Sequence, residues 1–163
     1  MTDAAPAIFV ALEASGLGAA IRQSTWIYMA ANVGHIVFLV VFAGAVAIMD
    51  VRMIGALAAT APGHVLTLAR RFAIWAFAGL LISGATLFTA EASHVIVNPM
   101  FQIKLALIAL ALVNIGWFEF FVLAKVRELP PLTPLPRAAR RAGFISIGLW
   151  IAVAAAGRTI AYL

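Results

Sequence analysis

The chain has 163 residues, of which 65% are hydrophobic and 10% charged, with a formal net charge of +5 at neutral pH. A soluble domain carries about 25% charged residues, so a mean hydropathy of +1.09 excludes a water-soluble globule and points to lipid as the main solvent. The basic residues fall between apolar runs, which reads as membrane flanking and not as a nucleic-acid surface, and the absence of cysteine excludes disulfides, thiolate metal sites, iron–sulfur clusters and Cys nucleophiles.

Residues 6–21 come first. Ile8, Phe9 and Leu12 share one helical face, with Glu13 and Arg22 off it, which predicts a short interfacial helix lying on the membrane. Residues Met1 to Ile21 lack an early Lys or Arg and a small-residue cleavage site, so the segment is expected to stay on the mature protein. Four apolar windows follow, at residues 25–49, 72–90, 105–124 and 142–163. A bilayer core of roughly 30 Å takes about 20 helical residues, and helices satisfy their own backbone there. The expected fold is therefore all-α: a polytopic membrane protein, a single four-transmembrane-helix bundle over residues 1–163, with the lipid bilayer as its partner.

The connections carry turn chemistry. Pro62-Gly63 marks the first, residues 91–99 are short and polar, and Leu129 to Pro136 predicts an extended polyproline strap. Eight of the 11 basic residues (Arg52, Arg70, Arg71, Lys125, Arg127, Arg137, Arg140 and Arg141) fall in the first and third connections. The positive-inside rule then puts both termini outside the cytoplasm, the periplasmic side of a bacterial inner membrane. Trp26, Tyr28 and Tyr162 mark the same outer interface.

Ionisable and polar residues inside a span are costly, so each is a candidate site. Depth follows from the helical rise above the cytoplasmic ends. His35 lies roughly 22 Å up, Asn32 roughly 27 Å, Thr86 roughly 22 Å and Arg158 roughly 25 Å. Lys104 and His94 lie higher, at roughly 31 and 34 Å. Three spans thus contribute to one layer in the outer half of the bilayer, and Lys104, opening the third span in chain order, lies just above it. Asn32 and His35, three apart, share a helix face.

Each residue also has a structural reading. Arg158 and Lys104 are long enough to snorkel to the headgroups. Asn114, Trp117 and Glu119 suit interhelical hydrogen bonding, as does His35 itself. Glu91 and His94 form a single Glu-x-x-His pair, a spacing that bundle metal sites use in multiple copies.

Two chemistries suit the layer. A b-type haem would take His35 as axial ligand, with Arg158, Lys104 and Asn32 around it and the two cations on its carboxylates. Copper(I) would take imidazole and thioether donors from His35, Met29, His94 and Met100. A third reading is a non-catalytic subunit of a membrane complex, packed through small-residue surfaces at Gly44 and Ala47, Gly79 and Gly84, and Ala152 to Gly157. No Ser/His/Asp grouping, phosphate loop or paired carboxylates is placed for hydrolytic or phosphoryl-transfer catalysis, so no catalytic residue is assigned.

His35, the run to Asp50-Val51-Arg52 and Gly55, Asn98-Pro99-Met100-Phe101 before Lys104, and the end Gly157-Arg158-Thr159-Ile160-Ala161-Tyr162 together resemble a family of uncharacterised bacterial four-helix membrane proteins. The layout is more distantly similar to CopD-type copper-resistance proteins and to HemJ-type protoporphyrinogen oxidases, through a first-helix histidine (His35) and a basic residue opening a later helix (Lys104). The first likeness implies copper handling or transfer, with a periplasmic metal carrier as partner. The second implies haem and redox chemistry. The chain differs from both in having no second histidine at the depth of His35.

Overall fold

The computed structural model describes residues 5–162. Among them the chain forms eight α-helices and no strand. Two short helices, α1 (Ala7–Ala14) and α2 (Gly16–Gln23), precede the first long helix, α3 (Thr25–Ile54). The expected single interfacial helix is thus two. Ser15 breaks it: its backbone is extended, and its hydroxyl accepts from Gly18 N to cap α2, as a serine N-cap does.

Four helices are long and apolar enough to cross a membrane: α3, α4 (Pro62–Ala90), α6 (Pro99–Phe121) and α8 (Arg137–Thr159). Local signals set their ends. Ser24 caps α3, and Gly55 closes it at φ +111°, the left-handed geometry that glycine adopts without a Cβ penalty. Pro62 opens α4 from inside its first turn, so the Pro62-Gly63 pair starts a helix and makes no turn. Asn98 caps α6 through Met100 N and Phe101 N, with Pro99 next. Short helices α5 (Ala92–Ile96) and α7 (Leu123–Arg127) fill the connections around α6, and α8 ends in a 3₁₀ turn, Ile160–Tyr162. Residues 128–136 carry no helix. This strap is pinned by Leu132 N donating to Ala58 O at 2.7 Å and by the buried Leu135.

The packing is sorted by size. Buried positions are mostly small: Ala45, Ala69, Ala73, Ala76, Ala111, Ala139, Ala142 and Ala156, with Gly79 and Gly143. Large apolar side chains point outward, among them Val40, Trp75, Ile82, Val113, Phe120 and Ile151. A water-soluble bundle does the reverse. In lipid, small residues let backbones approach, because no hydrophobic force presses apolar helices together.

The contacts run α4–α3–α8–α6, and α4 and α6 make no extended contact with each other. Three edges of the bundle are packed and one is open. The open edge is bridged near its ends. Phe88 stacks on Phe101 at 5.4 Å between centroids, and Arg70 pairs with Glu119 at 2.8 Å. The end with α1, α2 and α5 is here the capped end; the other, with Arg70, Arg71 and residues 125–141, is the basic end.

At the capped end Glu13 accepts from both the backbone N–H and the hydroxyl of Ser93, joining α1 to α5. Arg22 donates to Glu13 O and Ala90 O. Phe9 meets Phe88 edge to face.

Two predictions follow from this packing. A methyl group on Gly143 would meet Ile54 Cγ2 at 3.1 Å and Asp50 O at 3.2 Å, whereas Gly148 faces open space. Gly143→Val is expected to destabilise the bundle by about 1–3 kcal/mol and Gly148→Val by under about 0.5 kcal/mol, read by unfolding in mixed micelles. The Ser93 hydrogen bonds hold the Glu13 carboxyl below its ordinary range. The docking they support is therefore present above the ordinary carboxylate pKa and is lost as pH falls through the lowered one. Hydrogen exchange in α1 should rise on acidification through and below pH 4.5, and Glu13→Gln should remove that pH dependence.

Candidate functional site

His35 and Lys104 are the two candidate residues that turn into the bundle at the capped end. His35, on α3, lies against Ser83 and Gly84 of α4: its Nδ1 is 2.9 Å from Ser83 Oγ. A Cβ on Gly84 would meet the ring at 3.3 Å. Lys104, on α6, lies along α8, where a Cβ on Gly157 would be 3.5 Å from its Nζ. Glycine on each facing helix gives a long side chain room beside backbone.

The serine constrains the imidazole. Ser83 is buried, and its hydroxyl lies 2.7 Å from Gly79 O and 3.3 Å from Leu80 O, which compete with His35 Nδ1 for its one hydrogen. When a carbonyl takes that hydrogen, the oxygen accepts from His35, Nδ1 carries the ring proton of the neutral form and Nε2 keeps a free lone pair. Metal-binding histidines are oriented in this way, by a bond from the nitrogen that does not ligate.

The other candidates face elsewhere. Asn32 and Met29 are exposed on the outside of α3, in the lipid-facing belt. Arg158 is exposed and turns along its own helix to Tyr162. It donates to the phenol oxygen at 2.7 Å and lies 5.0 Å from the ring centroid. His94 is exposed on α5, and Met100 is half-buried in the first turn of α6. Thr86 returns its hydroxyl to Ile82 O. Among the described residues no three His, Cys, Asp or Glu side chains are grouped to hold a metal. Of the residues placed in the outer layer, helix rotation turns only His35 and Lys104 inward.

Sequence reasoning missed the basic half of the interior. Asp50 and Arg52, read as residues at the membrane edge, are 2% and 1% exposed. Arg52 donates through Nε and Nη2 to Thr60 O, holding the loop after Gly55. Asp50 faces a cavity of about 260 Å³ that is also lined by Ser146, Trp150 and Asn114. Asn114 ties α6 to α8 by donating to Ala142 O at 3.1 Å. The available signal was that α3 continues five residues past Met49 before Gly55 ends it, so Asp50 belongs to the helix and not to a loop.

No family model, curated protein or solved structure matches the chain.

The serine's role is testable. Nitrogen NMR of ¹⁵N-histidine-labelled protein should show neutral His35 protonated on Nδ1 alone. In Ser83→Ala the two tautomers should mix. An Nε2-protonated ring in the unsubstituted protein would refute the assignment.

Proposed function

We propose that this chain is a multi-pass protein of a bacterial inner membrane that binds a b-type haem through His35, with the capped end and both termini toward the periplasm. The observation that carries the reading is the His35 imidazole, whose Nδ1 lies 2.9 Å from the buried Ser83 hydroxyl while Nε2 takes no hydrogen bond among the described residues. Lys104 supports it. An ammonium turned inward near that ring suits a ligand bearing carboxylates, as haem does. When bound, the group would supply one-electron chemistry at iron. The chain's own part is to orient the imidazole through Ser83 and to meet a carboxylate with Lys104. The basic end, with Arg70, Arg71, Arg137, Arg140 and Arg141, supports a cytoplasmic assignment by the positive-inside rule.

Copper handling, the implication of the CopD likeness, fits this donor set less well. Met29 faces lipid, His94 is exposed away from the interior, and an ammonium whose field reaches the imidazole repels a metal cation while attracting an anion. The HemJ likeness agrees better with a single inward histidine accompanied by a lysine.

The protein purified in mild detergent is expected to show a Soret band and one iron per chain. His35→Ala should abolish both. Lys104→Met should lower haem affinity about tenfold, the cost of one charge-assisted hydrogen bond. Copper at one per chain without a Soret band would transfer the site to copper. Neither metal, in protein never exposed to chelator, would refute both readings and leave His35 as a packing residue.

A further inference from the structure

Two buried side-chain atoms among the described residues have no hydrogen-bond partner: Asp50 Oδ2 and the Trp150 indole nitrogen. Both residues line the same cavity, about 260 Å³, in the half of the bundle nearer the basic end. Unsatisfied buried polar atoms are rare, and each needs a cause. Two in one cavity point to a common one.

Among the described residues no side chain answers Asp50 Oδ2. Arg52 is two residues away on the same helix, but its guanidinium is directed to Thr60 O. Arg70, at the rim, is paired with Glu119. Asn114 donates to Ala142 O. The Ser146 hydroxyl lies beside the carboxyl and leaves Oδ2 free. The remaining wall is apolar and aromatic. Trp150 packs edge to face on Phe42 at 4.6 Å and on Phe77 at 6.4 Å.

The cavity reaches the bilayer. Ile74 of α4 and Leu112 of α6 both line it, yet are 55% and 45% exposed on the lipid-facing surface. They flank the one edge of the bundle that is not packed. That edge, between the Phe88–Phe101 stack and the Arg70–Glu119 pair, is where a molecule dissolved in the membrane would enter.

The two orphans define the head of that molecule. An indole N–H only donates, and a carboxyl oxygen accepts when ionised and donates when protonated. One hydroxyl suits both atoms in either state, accepting from Trp150 and donating to or accepting from Asp50 Oδ2. An amine would serve Asp50 and leave the indole N–H unmet; a hydrocarbon would leave both. A cavity of about 150 Å³ suffices for benzene, so this one admits a substituted ring or a branched chain.

We infer that the cavity between α4 and α6 binds a bilayer-soluble amphiphile with a hydroxyl head, of the alcohol or phenol class, held between Trp150 and Asp50. The site is independent of His35, which lies on α3 roughly 22 Å away along the helix.

The test uses the full chain in phosphatidylcholine nanodiscs, with 4-butylphenol as probe and butylbenzene and 4-butylbenzylamine as its controls. Binding is the saturable uptake above that of empty nanodiscs. The expected result is one 4-butylphenol site per chain. Trp150→Phe and Asp50→Asn should each weaken it about tenfold, and butylbenzene should bind more weakly still. Trp150→Phe keeps the aromatic packing, so it decides the question even if Asp50→Asn does not fold. Equal binding of butylbenzene would show a merely apolar cavity. Tightest binding of the amine would show a cation site. No saturable uptake of any probe would show that water alone meets the two atoms. Each of these three results overturns the inference.

Discussion

The close approach of α3 to α8 and α4, made through small residues, is the constraint on which the rest of the molecule depends. Lipid gives apolar helices no reason to leave it for one another, so association rests on dispersion contacts between backbones that come near, and on hydrogen bonds between helices. Gly143 lets α8 lie against Asp50 O and Met53, and Gly79 lets Phe38 lie across α4. Such contacts exist on three edges of the bundle. The fourth, between α4 and α6, has none of that kind. It is lined instead by bulky side chains such as Ile74, Leu112 and Ile115. An open edge follows from where the small residues are, not from a missing helix.

That arrangement decides which polar groups are satisfied. At the capped end nearly every group near the interior has a partner: Arg22 with Glu13 O and Ala90 O, Glu13 with Ser93, Tyr28 with Glu91, and Asn98 with Ile160 O. Lateral displacement of α1, α2 and α5 is opposed by this network. His35 is held separately, by Ser83, and its second ring nitrogen takes no hydrogen bond among the described residues. At the basic end the hydrogen bonds serve the loops. Arg52 holds residues 55–60 and Leu132 ties the strap to Ala58. The cavity between them is left with two orphaned atoms.

Span number and helical class were legible in the sequence, because both depend only on hydropathy and on a fixed rise per residue. Rotation about the helix axis was not. Asn32 and His35 share a face by spacing, yet one meets lipid and the other α4, because the boundary between buried and exposed falls between them. In a helix that is apolar all round, no amphipathic stripe marks that boundary. Arg158 shows the same limit: helical rise placed it near His35, but its side chain turns to Tyr162. The break at Ser15 was legible in principle, since Ser15-Gly16 is an N-cap beside a glycine. Helix ends were blurred where charged residues continue a helix beyond its apolar run, as at Asp50 to Ile54 and Pro62 to Arg71.

The two interior polar layers differ in a way that bears on purpose. His35 Nδ1 is met by a side chain that has its own bond to backbone. Asp50 and Arg52 are both buried, but two residues apart on a helix they diverge and do not face each other. Arg52 finds a carbonyl; Asp50 keeps an oxygen without a partner. Burying an unanswered carboxyl opposes stability, and a leucine there would fill part of the cavity without that cost. Packing therefore gives no account of the aspartate. Nor does the indole of Trp150 need a polar edge at a position where phenylalanine would keep the contacts with Phe42 and Phe77. The common property of these two side chains is that both present a polar atom to space that opens toward the membrane, and a ligand from the bilayer accounts for both at once.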